Sequence, residues 1–173
     1  VPMGGPIEDF TYHRGASHSW FVHAALTPLF AWGFAKLHRA REITFERWAW
    51  FVWSILFTHA LLDAFTVYGT QVFWPLTTPP VALGSIFIID PLYTLPLAAG
   101  VLAALLLRRS PERAWRWNLA GLVASSFYLL WSAGAKLHVD DQVRGILAQE
   151  GVHYEHLQTQ PTPFNTLLWR VVG

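Results

Sequence analysis

The chain has 173 residues, enough for one domain, with a net charge of +1 and only 13% charged residues, about half of the roughly 25% usual in soluble proteins. Hydrophobic residues reach 53% and mean hydropathy is +0.32, which leaves too little charge to cover a small soluble domain and excludes disorder, coiled coil and collagen. There is no cysteine, so disulfides, Fe–S clusters and thiolate metal sites are excluded, and a charge of +1 gives a nucleic-acid partner no electrostatic support.

Four apolar segments follow one another, each long enough to cross a bilayer of ~30 Å. They cover about Trp20–Leu37, Trp48–Tyr68, Ile86–Leu107 and Trp115–Leu137. The 60 residues between Arg47 and Arg108 hold no Lys or Arg, and their only ionisable His and acids are His59, Asp63 and Asp90. Pro28, Pro91 and Pro96 fall inside segments, where neighbouring helices can satisfy the freed carbonyls, and kinks are expected there. Trp residues near the segment ends fit an interfacial aromatic belt. The expected fold is all-α: an integral membrane bundle of four transmembrane helices within residues 1–138, five in the complete protein, followed by a small extramembrane tail, 139–173. In that tail 140–149 reads as helix, and 161–172 reads as a strand or an interfacial segment.

Eight of the 12 basic residues sit in two loops: Lys36, Arg39, Arg41 and Arg47 after segment one, and Arg108, Arg109, Arg113 and Arg116 after segment three. The loop between segments two and three, 69–85, has none. The positive-inside rule therefore places both basic loops in the cytoplasm, and the N-terminal stretch, the neutral loop and the tail outside. In a bacterium this is a multi-pass inner-membrane protein with its tail in the periplasm.

The ionisable residues collect at the outer ends of the segments. His13, Arg14 and His18 precede segment one. His59 and Asp63, four apart, share one face of segment two. Asp90 lies one turn inside segment three, and Lys136 and His138 end segment four. An Asp at the bilayer centre costs about 2.5–3.5 kcal/mol on insertion scales, so Asp63 and Asp90 need compensation. Their partners are His59, a cation from another segment, or a metal ion, for which His nitrogen and carboxylate oxygen are the donors available in a chain without Cys. Plainer roles stand beside these: Asp90 caps a helix broken at Pro91, His59 and Asp63 hydrogen-bond between helices, and Lys136 and His138 snorkel. His23 is expected only to pack at the interface, His38 belongs to a basic loop, and His153 and His156 are expected in solvent.

Five blocks in order, HRGASHS, HALLDAFTVYGTQ, GSIFIIDPLYTLP, GAKLH and TPFNTLLWRVV, resemble the YdjM-like family of bacterial inner-membrane proteins from about Tyr12 to Val172. The resemblance implies a membrane-embedded metal-dependent hydrolase, with a metal centre likened to that of zinc-dependent phospholipases C and no named substrate. The family's HRG-x-[ST]-H-S motif falls on His13, Arg14, Gly15, Ser17, His18 and Ser19. Its H-x-x-x-D motif falls on His59 and Asp63, and its I-D-P-x-Y block on Asp90, Pro91 and Tyr93. Family members usually begin with a further apolar helix and a P-D-x-D motif and continue past LLWRVV. This chain starts at Val1 and ends at Gly173, and is expected to be a fragment or a processed form.

Together these readings assign His13, His18, His59 and Asp63 to a divalent metal, Zn²⁺ being the expected ion. Asp90 is assigned as a further ligand or general base, Arg14 as the holder of an anionic oxygen, and Tyr93 and Lys136 as weaker oxyanion donors. A site at the outer interface is reached by lipid headgroups, so the expected partners are membrane lipids and the substrate a lipid or lipid-linked phosphoester. The rival readings are an ion or metal transporter and a protein with a purely structural metal. The HExxH signature of zinc proteases does not occur.

Overall fold

The computed structural model describes residues 14–38, 42–76, 78–154 and 156–172. The chain divides into two compact units, Val1–Leu83 and Gly84–Gly173. Among the described residues the structure is mostly helical, with four helices and one small two-stranded sheet.

The first unit holds a 3-10 turn, Ala16–His18, then α1, Trp20–His38, and α2, Phe45–Phe65. Ser19 starts α1: its Oγ accepts from the backbone N–H groups of Phe21 and Val22, at 3.2 and 3.4 Å, which the first turn otherwise leaves unpaired. α1 continues through Pro28. Thr44 caps α2 in the same way through Arg47 N. α2 ends at Phe65, three residues before the expected Tyr68. Thr66 leaves the helical backbone there, and both its N–H and its hydroxyl donate to the Asp63 carbonyl, at 3.1 and 2.7 Å.

Aromatic side chains link α1 and α2 at both ends. Trp48 stacks on Phe34 and His38 at ring-centroid distances of 5.9 and 5.4 Å, and Trp20 stacks on Phe57 at 4.8 Å. The segment after α2 then returns to the start of α1. Gln71 N donates to Arg14 O (3.0 Å), Trp20 N to Val72 O (3.0 Å), and Ser19 Oγ to Trp74 O (2.5 Å). Leu83 N closes the segment back onto Ala64 O at 2.8 Å.

The second unit holds α3, Pro91–Leu106, α4, Pro111–Gln149, and strands β1, Gln158–Pro161, and β2, Trp169–Val172. The sequence places the start of segment three at Ile86, but residues 86–90 are not helical. The residue before a proline avoids the α region, and Asp90 is that residue. Its backbone is extended, its Oδ1 accepts from Leu92 N at 2.9 Å, and Pro91 occupies the first helical position instead of kinking a helix interior. Pro96 lies inside α3, and the helix continues through it.

α3 and α4 approach closely where side chains are missing. A Cβ on Gly121 would collide with the Pro96 carbonyl, and one on Gly100 would come within 3.1 Å of the Trp117 carbonyl. Ser125 Oγ donates to the Tyr93 carbonyl across the same seam, at 2.7 Å. Close backbone approach at small residues with interhelical hydroxyl bonds is the packing mode of membrane helices. α4 has 39 residues, about 58 Å at 1.5 Å per residue, and runs unbroken past 138 through the part expected as tail. The expected strand near the C-terminus is β2, paired antiparallel with β1 from Gln158↔Val172 to Pro161↔Trp169.

Polarity is inverted relative to a soluble domain. Among the described residues the buried apolar side chains are Ala31, Val52, Ala60, Ala64, Val72 and Ile86, while 12 polar or ionisable residues are buried. The large apolar side chains point outward. α2 is the one described helix long and apolar enough to cross a membrane, and only 17% of its apolar window is buried, whereas the core helix of a soluble protein would be mostly covered. α3 is apolar but shorter.

The glycine seam gives a paired prediction. Gly121→Ala forces α3 and α4 apart and should cost about 1–3 kcal/mol, read as a lowered thermal midpoint in detergent. Gly134→Ala, on the same helix with nothing within 4 Å of the added Cβ, should leave it unchanged or raise it slightly.

Candidate metal centre

The first unit brings His18, His59 and Asp63 together, with one ligand atom from each lying within 4.8 Å of the others. His18 Nε2 is 3.1 Å from Asp63 Oδ2 and 3.2 Å from His59 Nε2. Four donors around Zn²⁺ at about 2.0–2.1 Å stand about 3.3 Å from one another, so these spacings match edges of a tetrahedral shell. The donors also suit the ion, since imidazole nitrogen and carboxylate oxygen are borderline and hard ligands that Zn²⁺ accepts.

Local structure explains the convergence. His59 and Asp63 sit one turn apart on α2 and face the same way. His18 comes from the 3-10 turn and is buried, with Ser17 Oγ 3.0 Å from its Nδ1. When Nδ1–H donates to that hydroxyl, Nε2 keeps its lone pair toward the cluster, the usual outer support of a metal-ligating histidine. The cluster is buried at His18, half-buried at Asp63 and exposed at His59.

Arg14 borders the cluster. Its Nη2 is 3.9 Å from Asp63 Oδ2, its Nη1 donates to Thr66 Oγ1 at 3.2 Å, and its guanidinium lies over the Tyr68 ring, 5.0 Å from the centroid. Because α2 stops at Phe65, Asp63 lies in the last turn, where the helix dipole disfavours a negative charge, and the guanidinium offsets that.

Of the other sequence-derived site residues, His13 lies outside the described residues. Asp90, Tyr93 and Lys136 belong to the second unit. The buried Asp90 caps α3 through Oδ1 and accepts from the Tyr128 hydroxyl through Oδ2 at 2.8 Å. Tyr93 takes the Ser125 hydroxyl on its carbonyl. Lys136 forms an i,i+4 ion pair with Asp140 at 2.6 Å and donates to Thr159 Oγ1 on β1.

His23 has a part that the sequence did not reveal. It is 3% exposed, and its Nε2 meets the Ser17 carbonyl at 2.8 Å, which holds the turn carrying His18. The missed signal is spacing. His23 is four residues after Ser19, on the first turn of the helix that Ser19 caps, so its ring reaches back to the turn before the helix.

A model of the YdjM inner membrane protein family matches residues 1–139 of the chain. No curated protein and no solved structure matches it.

His23→Phe keeps all three candidate ligands but releases the Ser17 carbonyl. Affinity for Zn²⁺, titrated against a competing chelator, should fall about 10–100-fold, the range for lost outer-shell support. Circular dichroism should report unchanged helix content, and equal affinity in the two proteins would remove His23 from the centre.

Proposed function

The chain belongs to the YdjM inner membrane protein family, and from that membership we propose that it is a membrane-embedded metal-dependent hydrolase acting on a lipid or lipid-linked phosphoester at the outer face of the inner membrane. The observation that carries this reading is the convergence of His18, His59 and Asp63. The arrangement proposed for it is multi-pass, with four crossings in this chain, both basic loops in the cytoplasm and the cluster toward the periplasm. The inside-out polarity of both units and the charge asymmetry of the loops support that topology.

His18, His59 and Asp63 are the proposed ligands. When bound, Zn²⁺ or a similar ion lowers the pKa of a coordinated water toward 7 and polarises an ester or phosphoryl oxygen. Ser17 and His23 hold His18 in place. Arg14 balances Asp63 and offers the remaining N–H groups of its guanidinium to an anionic substrate oxygen, a planar fork suited to phosphate. The exposed end of the cluster, His59, stands on the most membrane-like of the described helices, so a substrate dissolved in the bilayer reaches it without leaving the lipid. Asp90 and Lys136 serve as cap and hairpin clamp through the partners described above, and the proposal assigns them no chemical step.

Two measurements test this. Purified protein should hold stoichiometric zinc or manganese by elemental analysis, and His59→Ala should lose it. The metal-loaded protein should hydrolyse phosphate or carboxylate ester lipids, with turnover falling by at least about 10³-fold in the His59→Ala, Asp63→Ala double variant, a few kcal/mol of transition-state stabilisation. Metal bound without turnover would favour a structural or transport role. Equal turnover with and without the two side chains would remove the site.

Arg14→Gln keeps the ligands and loses the charge. Zinc content should be retained, while kcat/KM for a phosphoester falls about 10–100-fold, more than for a neutral carboxylate ester.

A further inference from the structure

The segment between β1 and β2 is built unlike a water-facing loop. Phe164, Leu167 and Leu168 are 59%, 73% and 66% exposed, and Phe164 holds φ +66°, a backbone conformation that aromatic residues rarely adopt. The polar side chains of the same loop turn the other way. Asn165 Oδ1 accepts from both Leu167 N and Leu168 N, at 3.0 and 2.9 Å, and its Nδ2 donates to Thr162 Oγ1 and to the Pro163 carbonyl. Thr162 N donates to Leu168 O, and Trp169 Nε1 to the Thr166 carbonyl. The N–H groups of Thr162, Asn165, Leu167 and Leu168 and the carbonyls of Thr162, Pro163, Thr166 and Leu168 are thus met inside the loop, while its apolar side chains face out.

The loop is also anchored. Thr166 is 1% exposed, and its hydroxyl is 2.9 Å from the Tyr128 hydroxyl, which bonds Asp90 in turn. Phe164 meets Phe87 edge to face at 5.4 Å. Beside Tyr128 on α4, Phe127 and Leu130 are about as exposed as the loop's leucines, so the loop attaches at a level where the helix itself presents bare apolar surface.

A backbone largely bonded within the loop, outward apolar side chains and an attachment level with an uncovered apolar stretch of helix suit non-helical chain to the boundary between headgroups and hydrocarbon. We propose that the 162–168 loop is a membrane-docking element that seats Phe164, Leu167 and Leu168 in the acyl–headgroup region of a phospholipid bilayer. The inference rests on the chain being a membrane protein and not on the hydrolase reading.

The absence of cysteine allows a background-free test. Leu167→Cys and Leu168→Cys, both at exposed positions that tolerate the change, carry a nitroxide in full-length protein reconstituted into phosphatidylethanolamine–phosphatidylglycerol vesicles. Ile55→Cys on α2 is the lipid reference and Gln149→Cys at the end of α4 the water reference. Collisions with oxygen should exceed those with a water-soluble nickel chelate several-fold at 167 and 168, as at 55 and opposite to 149. Nickel dominating at both loop positions would put the loop in water and overturn the proposal. Low collision with both reagents would show the loop covered by protein, a second copy or another chain, and would overturn it equally. Loss of metal binding or of hydrolysis in a site variant would leave this result untouched.

Discussion

His18 reaches Asp63 because the short stretch before α1 is sewn to the segment that follows α2. Three hydrogen bonds hold that seam, from Gln71 to Arg14, from Trp20 to Val72 and from Ser19 to Trp74. A 3-10 turn of three residues has no stability of its own. Held from one side by the returning chain and from the other by His23, it presents a buried imidazole at hydrogen-bond distance from a carboxylate on α2. The cluster, the placement of Arg14 and the capping of α1 by Ser19 all depend on that seam.

Both units follow one economy of polar groups. Where the surroundings are apolar, a polar atom has only the polar atoms of its own chain to meet, so such atoms gather in networks instead of scattering. The first unit gathers Ser17, His18, His59, Asp63, Arg14 and Thr66. The second gathers Asp90, Tyr128 and Thr166 in one network and Lys136, Asp140 and Thr159 in another. Asp90 is met on both oxygens by chain donors. The Nε2 atoms of His18 and His59 lie 3.2 Å apart beside the Asp63 carboxylate.

Much of this was legible in the residues. Apolar length located α1 to within one residue of its end, and the i,i+4 pair His59 and Asp63 put two donors on one face because helical periodicity is a local property. His18, read as a candidate ligand from the stretch before α1, lies beside that pair. What escaped was set by particular local competitions. Ile86 to Asp90 is as apolar as any helix interior, yet Asp90 before Pro91 favours a cap, and the helix starts five residues late. The polar residues after Lys136 suggested an exit into a tail with its own helix over 140–149, but nothing breaks the backbone between the two, and α4 runs through that stretch to Gln149 as one helix. His23 looked like packing, because a bond to a carbonyl six residues back leaves no trace in hydropathy.

The contact at Gly100 and Gly121 bears on how the protein is made. α3 spans about 24 Å, short of the ~30 Å hydrocarbon core, and only residues 107–110 separate it from α4. Closing so short a connection costs little entropy. The two helices can therefore pair along the glycine seam as soon as both have been synthesised. The short helix then never has to be stable by itself. Translation order becomes part of the design, since the partner that covers the polar atoms of α3 arrives immediately after it.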